Sequence, residues 1–592
     1  MKIVNAKVKS FLLTAMVVGL MNLSSLSAAE KSWEDETVLV GKQGDQTVVR
    51  KMKGDKVLFQ HKDAQLAIEW AMSNARTTVV QAGRYPHGKL EGGAKLVDGK
   101  LVLGQNGVLF AAATRNVPSA SGGKPAQPKS TGPYVPETPE WPENPPDNWA
   151  IYHLAHPTFT MGSPFDPNAA FFYKGRYHLH YIYKNHTGFV FGHVSSEDMI
   201  HWKWHPTVLS PAVTGHGMFS GTGFFTKEGK PAIVYCGWGS KRNQISYGLD
   251  DNLDKWSKPE VMLPSDENGK PITSMPYFDP DIWLMNGTYY GMNARSSSLP
   301  PVIMKSDNLK DWKLIGELLH PDFDEKKLGV RKSEDISCPN MFKLGNKWVL
   351  VCISHRLGCR YFIGDFKNEQ FLPEQHALMG GHSNRYFAPE SLLTKDGRRV
   401  NWAWFRGGQP RGIQSLPTEL ELPEDGILRI RPIRELESLR YGKQSQMNIE
   451  VKSGSVVKLE KIKGDHLELE VVVMDSGGKH FGVDVLCNDE GKSGLRINVN
   501  REKNLLEVGN ERLPFKLKKG ETLTLRIFVD STLVEVFANE CVVVMNDKKR
   551  QAGAKIDDRV ALFSEDGDLK VDKVTAWQMQ SAFEGGTVFH KK

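Results

Sequence analysis

From residue 148 onward the chain is a long series of short apolar stretches parted by turn residues. Residues 171–173, 177–183, 232–236, 288–292, 348–353 and 400–404 each read as a strand, because aromatic and β-branched positions fill a run too short for a helix. An acidic turn followed by a tryptophan recurs: Asp198 with Trp202, Asp251 with Trp256, and Asp307 with Trp312. Repeated hairpins of this kind predict radially arranged four-stranded sheets, with one long sandwich as the alternative. Beyond residue 432, residues 467–473, 482–486, 523–529 and 533–537 alternate as half-buried strands do, which predicts a two-sheet sandwich.

The N-terminal quarter is patterned differently. Lys2, Lys7 and Lys9 precede an apolar run over 11–21, and Ser27-Ala28-Ala29 places small residues before a cleavage point. That order predicts a signal peptide over 1–29 and a secreted or periplasmic mature protein. The apolar run is too short to span a bilayer, and no second run of spanning length follows, so no membrane span is expected. Residues 30–115 read as a small β-rich unit: a blurred helical stretch at 64–75, then strands at 77–82, 94–97, 101–103 and 108–112. Residues 116–147 carry a proline every few positions and read as a linker with no core of its own.

Composition narrows the classes of function. The chain has 592 residues, a net charge of +7 and scattered basic positions, which gives no footprint for nucleic acid. Cys236, Cys338, Cys352, Cys359, Cys487 and Cys541 form no Cys-x-x-Cys pair, so no zinc site is expected and buried thiols are the default. No metal and no cofactor are expected, since neither ligand spacing nor a phosphate-binding glycine loop occurs in the propeller-like region.

Carboxylates at strand ends carry the candidate chemistry. Phe165-Asp166-Pro167-Asn168 and Phe278-Asp279-Pro280-Asp281 share one form, and Glu334-Asp335 precedes a Cys-Pro at the start of another strand. An Asp before Pro is usually a turn former. Three such clusters on separate strands can nevertheless converge on a propeller axis, where two carboxyl groups could divide the work of glycoside hydrolysis.

In order and context these motifs resemble glycoside hydrolase family 32. The resemblance runs from His156 to the C-terminus and includes Phe171-Phe172-Tyr173-Lys174-Gly175-Arg176-Tyr177-His178-Leu179, Phe191-Gly192-His193-Val194-Ser195, Phe219-Ser220-Gly221-Thr222-Gly223, Arg434-Glu435-Leu436-Glu437-Ser438-Leu439-Arg440 and Arg526-Ile527-Phe528-Val529-Asp530. It implies an all-β fold, with a five-bladed β-propeller over 148–432 and a β-sandwich over 433–592. It also implies a retaining hydrolase of sucrose or fructans, acting on an oligo- or polysaccharide. Asp166 would be the nucleophile, Asp279 the transition-state stabiliser, and Asn168, Phe219 and Ser220 sugar contacts.

The departures fall at the site. Ser337 stands where the family has its acid/base glutamate, which leaves Asp335 as first candidate for that role and Glu334 as second. Glu390, in place of an amide, is a further candidate, and with Phe165, Phe278 and Ser337 it is counted among the expected substrate-binding positions. Phe165, Ile182 and Phe278 replace polar residues of the family, so the sugar contacts differ, and His193, His216, Arg385 or Arg406 could compensate. Two alternatives follow: a glycosidase for another furanoside, or a glycan-binding protein without catalysis.

Overall fold

The computed structural model describes residues 135–583, apart from 143–144, 147, 158–163, 276, 295–299, 409–410 and 550–556, together with the backbone of strands between 37 and 111. The signal-peptide pattern, the helical stretch at 64–75 and the linker before residue 135 lie outside the described residues. The chain divides into two compact units, residues 1–132 with 551–553, and the remainder.

In the first unit, Thr37–Gln43 lies between Gln46–Lys51 and Thr77–Val80, running parallel to the latter, in a sheet extended by Val57–His61, Ala94–Val97 and Lys100–Leu103. Gly83–Tyr85, Gly88–Glu91 and Val108–Ala111 form a second, three-stranded sheet.

The second unit holds a propeller and a sandwich. Five sheets follow one another along the chain, and their innermost strands are Pro167–Tyr173, Gly217–Phe225, Phe278–Met285, Ser337–Leu344 and Tyr386–Leu393. Each innermost strand packs against the next and the fifth against the first, so the sheets are blades around one axis. The next strands out, such as Pro231–Trp238 and Lys347–Ser354, are buried along almost their whole length between blades, which explains their unbroken apolar runs. Lys174-Gly175 and Asn286-Gly287 close hairpins with both residues at positive φ (49° and 80°; 52° and 79°), the mirror-image turn that suits twisted strands.

The tryptophan turns recur as the sequence suggests, with a shift at two of them. Asp198, Asp250 and Asn308 accept the backbone N–H groups of the turn, rather than Asp251 and Asp307. Trp312 and Trp202 drop into the core behind them.

The ring closes in two ways. The chain just before blade one pairs with blade five, through His156 N to Gly412 O (3.3 Å) and Gln414 N to Leu154 O (2.7 Å). Side chains complete the closure at the axis, as described below. Residues 135–142, assigned to the linker on proline content, instead lie on the propeller. Trp141 stacks on Phe583 (4.0 Å between ring centroids) and on Trp204 (6.2 Å), and Glu137 accepts from Tyr183 and Asn185. An aromatic ring between the prolines supplies the apolar area that a proline-rich segment otherwise lacks.

The sandwich packs two six-stranded sheets over an aliphatic core. A buried charge cluster ties it to the propeller: Asp530 accepts the N–H groups of Ile151, Tyr152 and His153 and the His153 Nδ1–H (2.8 Å), while His153 Nε2 lies 3.1 Å from Glu535.

Candidate active site

One tetrad repeats at the same place in every blade: Phe165-Asp166-Pro167-Asn168, Phe219-Ser220-Gly221-Thr222, Phe278-Asp279-Pro280-Asp281, Ser337-Cys338-Pro339-Asn340 and Phe387-Ala388-Pro389-Glu390. At each tetrad the pairing to the next strand slips, forming a bulge. Asp279, Cys338 and Ala388 sit there at positive φ (38°, 46° and 50°), a conformation that costs energy for residues other than glycine. A bulge re-aims the side chain at its centre. The second residues of four tetrads, Asp166, Ser220, Asp279 and Cys338, line a pocket on the axis, with Pro389 contributed by the fifth.

The fourth residues form a second ring below it. Asn168 Oδ1 accepts from Gly221 N (2.7 Å), Thr222 Oγ1 donates to Asp281 Oδ1 (2.7 Å), and Asp281 Oδ2 accepts from Met341 N (2.6 Å). Ser391 bonds Asn340, and Glu390 Oε1 accepts from Ala170 N (3.1 Å) and Gly223 N (3.3 Å). Each blade is thereby tied to the next, and the fifth to the first. Glu390 is consequently not a sugar contact. Burial, with Asp281 nearby, pushes its pKa well up, against the two N–H groups it accepts and Arg399. The bulge adds one residue, and that turns Glu390 away from the pocket.

Asp166 and Asp279 both line the pocket and lie close enough for their charges to interact. Burial first, and then the charge of Asp279, push the Asp166 carboxyl up to about 7, against the pull of Arg406 and His355. Its Oδ1 is buried with no hydrogen-bond partner among the described residues. Burial raises Asp279 as well, partly offset by the Cys338 N–H (2.9 Å) and Ser220. Both carboxyls are thus poised in a desolvated cleft where incoming positive charge would be strongly favoured.

On the rim, Asp335 does not offer a proton. Burial would raise its pKa, but the N–H (2.9 Å) and Nδ1–H (2.6 Å) of His355 and the Ser337 hydroxyl (2.7 Å) outweigh it and hold the carboxylate ionised. Glu334 accepts from Ser354 (2.5 Å) and pairs with Arg356, and these bonds likewise overcome its burial and lower its pKa. The strand end that resembles the family's acid motif therefore holds two occupied carboxylates and a serine turned toward one of them.

Residues 156–432 match the N-terminal domain of glycosyl hydrolases family 32, and residues 435–578 match its C-terminal domain. The chain belongs to that family. It is similar to raffinose invertase of Escherichia coli, 25% identical over 476 residues that cover 73% of this chain and 95% of that protein. It is also similar to levanase of Bacillus subtilis, 26% identical over 495 residues that cover 72% of this chain and 69% of the other. In fold it resembles fructan 1-exohydrolase IIa of Cichorium intybus, with a TM-score of 0.60 at 18% identity, covering 74% of this chain and 98% of that one. Family 32 membership makes the protein a glycoside hydrolase.

The remaining sequence-derived positions divide between pocket and support. In this family 32 chain Asn168 lines the pocket and also anchors blade two, whereas Phe165 is wholly buried, its ring edge-on to Trp404 at 6.2 Å. Ile182 is buried too, so these two replacements remove polar groups behind the pocket and not in it. Phe219 packs with Phe189 and Trp238, and Phe278 stands 41% exposed against Tyr277. Of the proposed compensating residues, Arg406 acts on Asp166, lying over Phe387 and Trp404. Arg385 instead pairs with Asp547 and Glu511 of the sandwich, and His216 bonds Tyr235 (2.9 Å). His193 belongs to a buried stack with His180 and His205. His193, His205 and Asp254 are the one group of metal-ligating atoms that gathers among the described residues. The His193 and His205 rings stack at 4.1 Å and 23°, so their in-plane lone pairs run side by side and do not converge on an ion.

Sequence reasoning missed Cys338, which lines the pocket, and His355, which binds Asp335. The Cys338 thiol is half-buried, and desolvation and then the charges of Asp279 and Asp166 push its pKa well up, so it stays a thiol and is no nucleophile. A signal for Cys338 did exist, since it occupies the second position of the tetrad.

Proposed function

We propose that the protein is an exported, retaining β-fructosidase that opens β-fructofuranosidic bonds of sucrose or fructans. The observation that carries this reading is the pairing of Asp166 and Asp279 on one desolvated pocket floor, with Asp166 Oδ1 unoccupied. The relatives' names support the substrate class: invertase, levanase and fructan exohydrolase. Asp166 attacks the anomeric carbon and forms a glycosyl ester, which water then opens. Asp279 stays charged beside the ring as positive character develops there. Export rests on the basic and apolar pattern of residues 1–29, and the mature protein is expected to begin at Glu30.

A second reading, another furanoside on the same mechanism, is favoured by Phe278, which brings an exposed apolar ring to the strand end beside Asp279. The test is sugar release by the purified protein from sucrose, levan, inulin and a panel of other furanosides, with N-terminal sequencing of secreted material. Fructose from the first three supports the proposal, and a different sugar moves it to the second reading. No release from any substrate by folded protein rejects both.

A further inference from the structure

A sugar alkoxide is a poor leaving group, so bond cleavage in this pocket needs a proton donor. The groups near Asp166 and Asp279 can be taken in turn. Serine hydroxyls and the Cys338 thiol hold their protons too tightly, and a guanidinium such as Arg406 does not give one up. Glu334 is ion-paired with Arg356, and Asp335 accepts three hydrogen bonds, so neither carboxylate carries a proton to give.

One group remains. His355 follows the strand Lys347–Ser354, which pairs with Ser337–Leu344 and so brings the imidazole back beside Asp335. Its ring stands edge-on to Phe387 at 5.9 Å, and its side chain is 66% exposed. Nδ1 is committed to Asp335, while Nε2 has no hydrogen-bond partner among the described residues. The ring is close enough for its charge to act on both Asp166 and Asp279.

We propose that His355, oriented by Asp335, passes the proton to and from the sugar oxygen in place of the carboxylic acid absent at Ser337. This rests on the hydrolase reading above. In the first step the imidazolium Nε2–H goes to the glycosidic oxygen, the bond from that oxygen to the anomeric carbon breaks, and an Asp166 oxygen bonds to that carbon. In the second step water attacks the same carbon, its proton goes to Nε2, and the Asp166 carboxylate leaves. Asp335 is a positioning residue: it fixes the tautomer and favours the protonated ring. The charged groups facing His355 are Asp335 and Asp279, which hold its pKa above the usual histidine value, and Arg406, which opposes them.

The test compares sucrose with nitrophenyl β-fructofuranoside, whose phenolate departs without protonation. His355→Ala and His355→Gln, each checked for native circular dichroism and Tm, are expected to lose about 10²–10⁴-fold in kcat on sucrose. Both should keep most of the first-step rate on the aryl substrate, with glycosylated Asp166 accumulating in intact-mass spectra and azide restoring turnover. Asp335→Asn is expected to move the alkaline limb of the pH–rate profile to lower pH. Unchanged sucrose turnover in the His355 variants, or equal loss on both substrates, overturns the inference while the hydrolase stands. Selective loss in Glu334→Gln, with the His355 variants active, also overturns it and gives the role to Glu334. A wild-type protein inactive on both substrates overturns the β-fructosidase reading and this one together.

Discussion

Two buried aspartates, Asp166 in the pocket and Asp530 at the joint between propeller and sandwich, show what surroundings do to one functional group. Asp530 is wholly buried, yet three backbone N–H groups and His153 outweigh the desolvation and hold it ionised, below its usual pKa. Asp166 is just as deep but has a carboxylate neighbour and an empty oxygen, and its pKa climbs to about 7. Both oxygens of Asp530 are saturated, and Asp166 is left unsaturated. A buried charge is stable when its lone pairs are filled, and reactive when they are held open for a substrate.

The sharpest test of this contrast is Asp166→Asn. Turnover is expected to fall roughly 10⁴-fold or more, the scale of losing a covalent nucleophile, while Tm holds or rises because a neutral amide relieves a desolvated carboxyl. Lower Tm in this variant would break the comparison. At the joint, His153→Ala leaves Asp530 and Glu535 buried without their cation and is expected to cost about 3–5 kcal/mol in urea unfolding.

The joint should also show a pH signature. His153 is raised to about 9, so its contribution to stability is full below the unfolded value of 6.5 and is lost as pH rises through about 9. Urea midpoints between pH 6 and pH 10 would show that loss in the wild type but not in His153→Ala. Between the two extremes lies Asp281, which is buried and raised to about 6 but bonded at both oxygens. Asp281→Ala strands Thr222 Oγ1 and Met341 N, and is expected to cost about 2–4 kcal/mol, with kcat on sucrose changed far less than by Asp166→Asn. The smallest effect is in the rate profile. In the proposed mechanism Asp166 attacks as the carboxylate, so kcat/KM is expected to fall about tenfold per unit as pH drops below about 7. An acid limb near pH 4 would mean that Asp166 is solvated in solution.

Much of this was legible in the chain. The strands were marked by apolar runs, and Asp166 and Asp279 by the shared Phe-Asp-Pro form. The fivefold tetrad was not, because its second position reads Asp, Ser, Asp, Cys and Ala, and no single residue type marks it. Glu390 was misassigned for a geometric reason: the bulge shifts which residue faces the axis, and a bulge has no fixed signature in one sequence. His355 lay hidden because it meets Asp335 only through the pairing of Ser337 with Ile353. Contacts across a hairpin depend on register, and strand patterns alone leave register open.

The closure between the chain before blade one and blade five bears on the order of events during synthesis. Leu154 waits for Gln414, and His156 for Gly412, so the first propeller residues to emerge from the ribosome are completed by nearly the last. Glu390 and Arg406, which reach blade one and Asp166, are also late arrivals. A nascent chain that ends before residue 412 therefore carries Asp166 but has no closed pocket around it. The pocket exists only when the circle is finished.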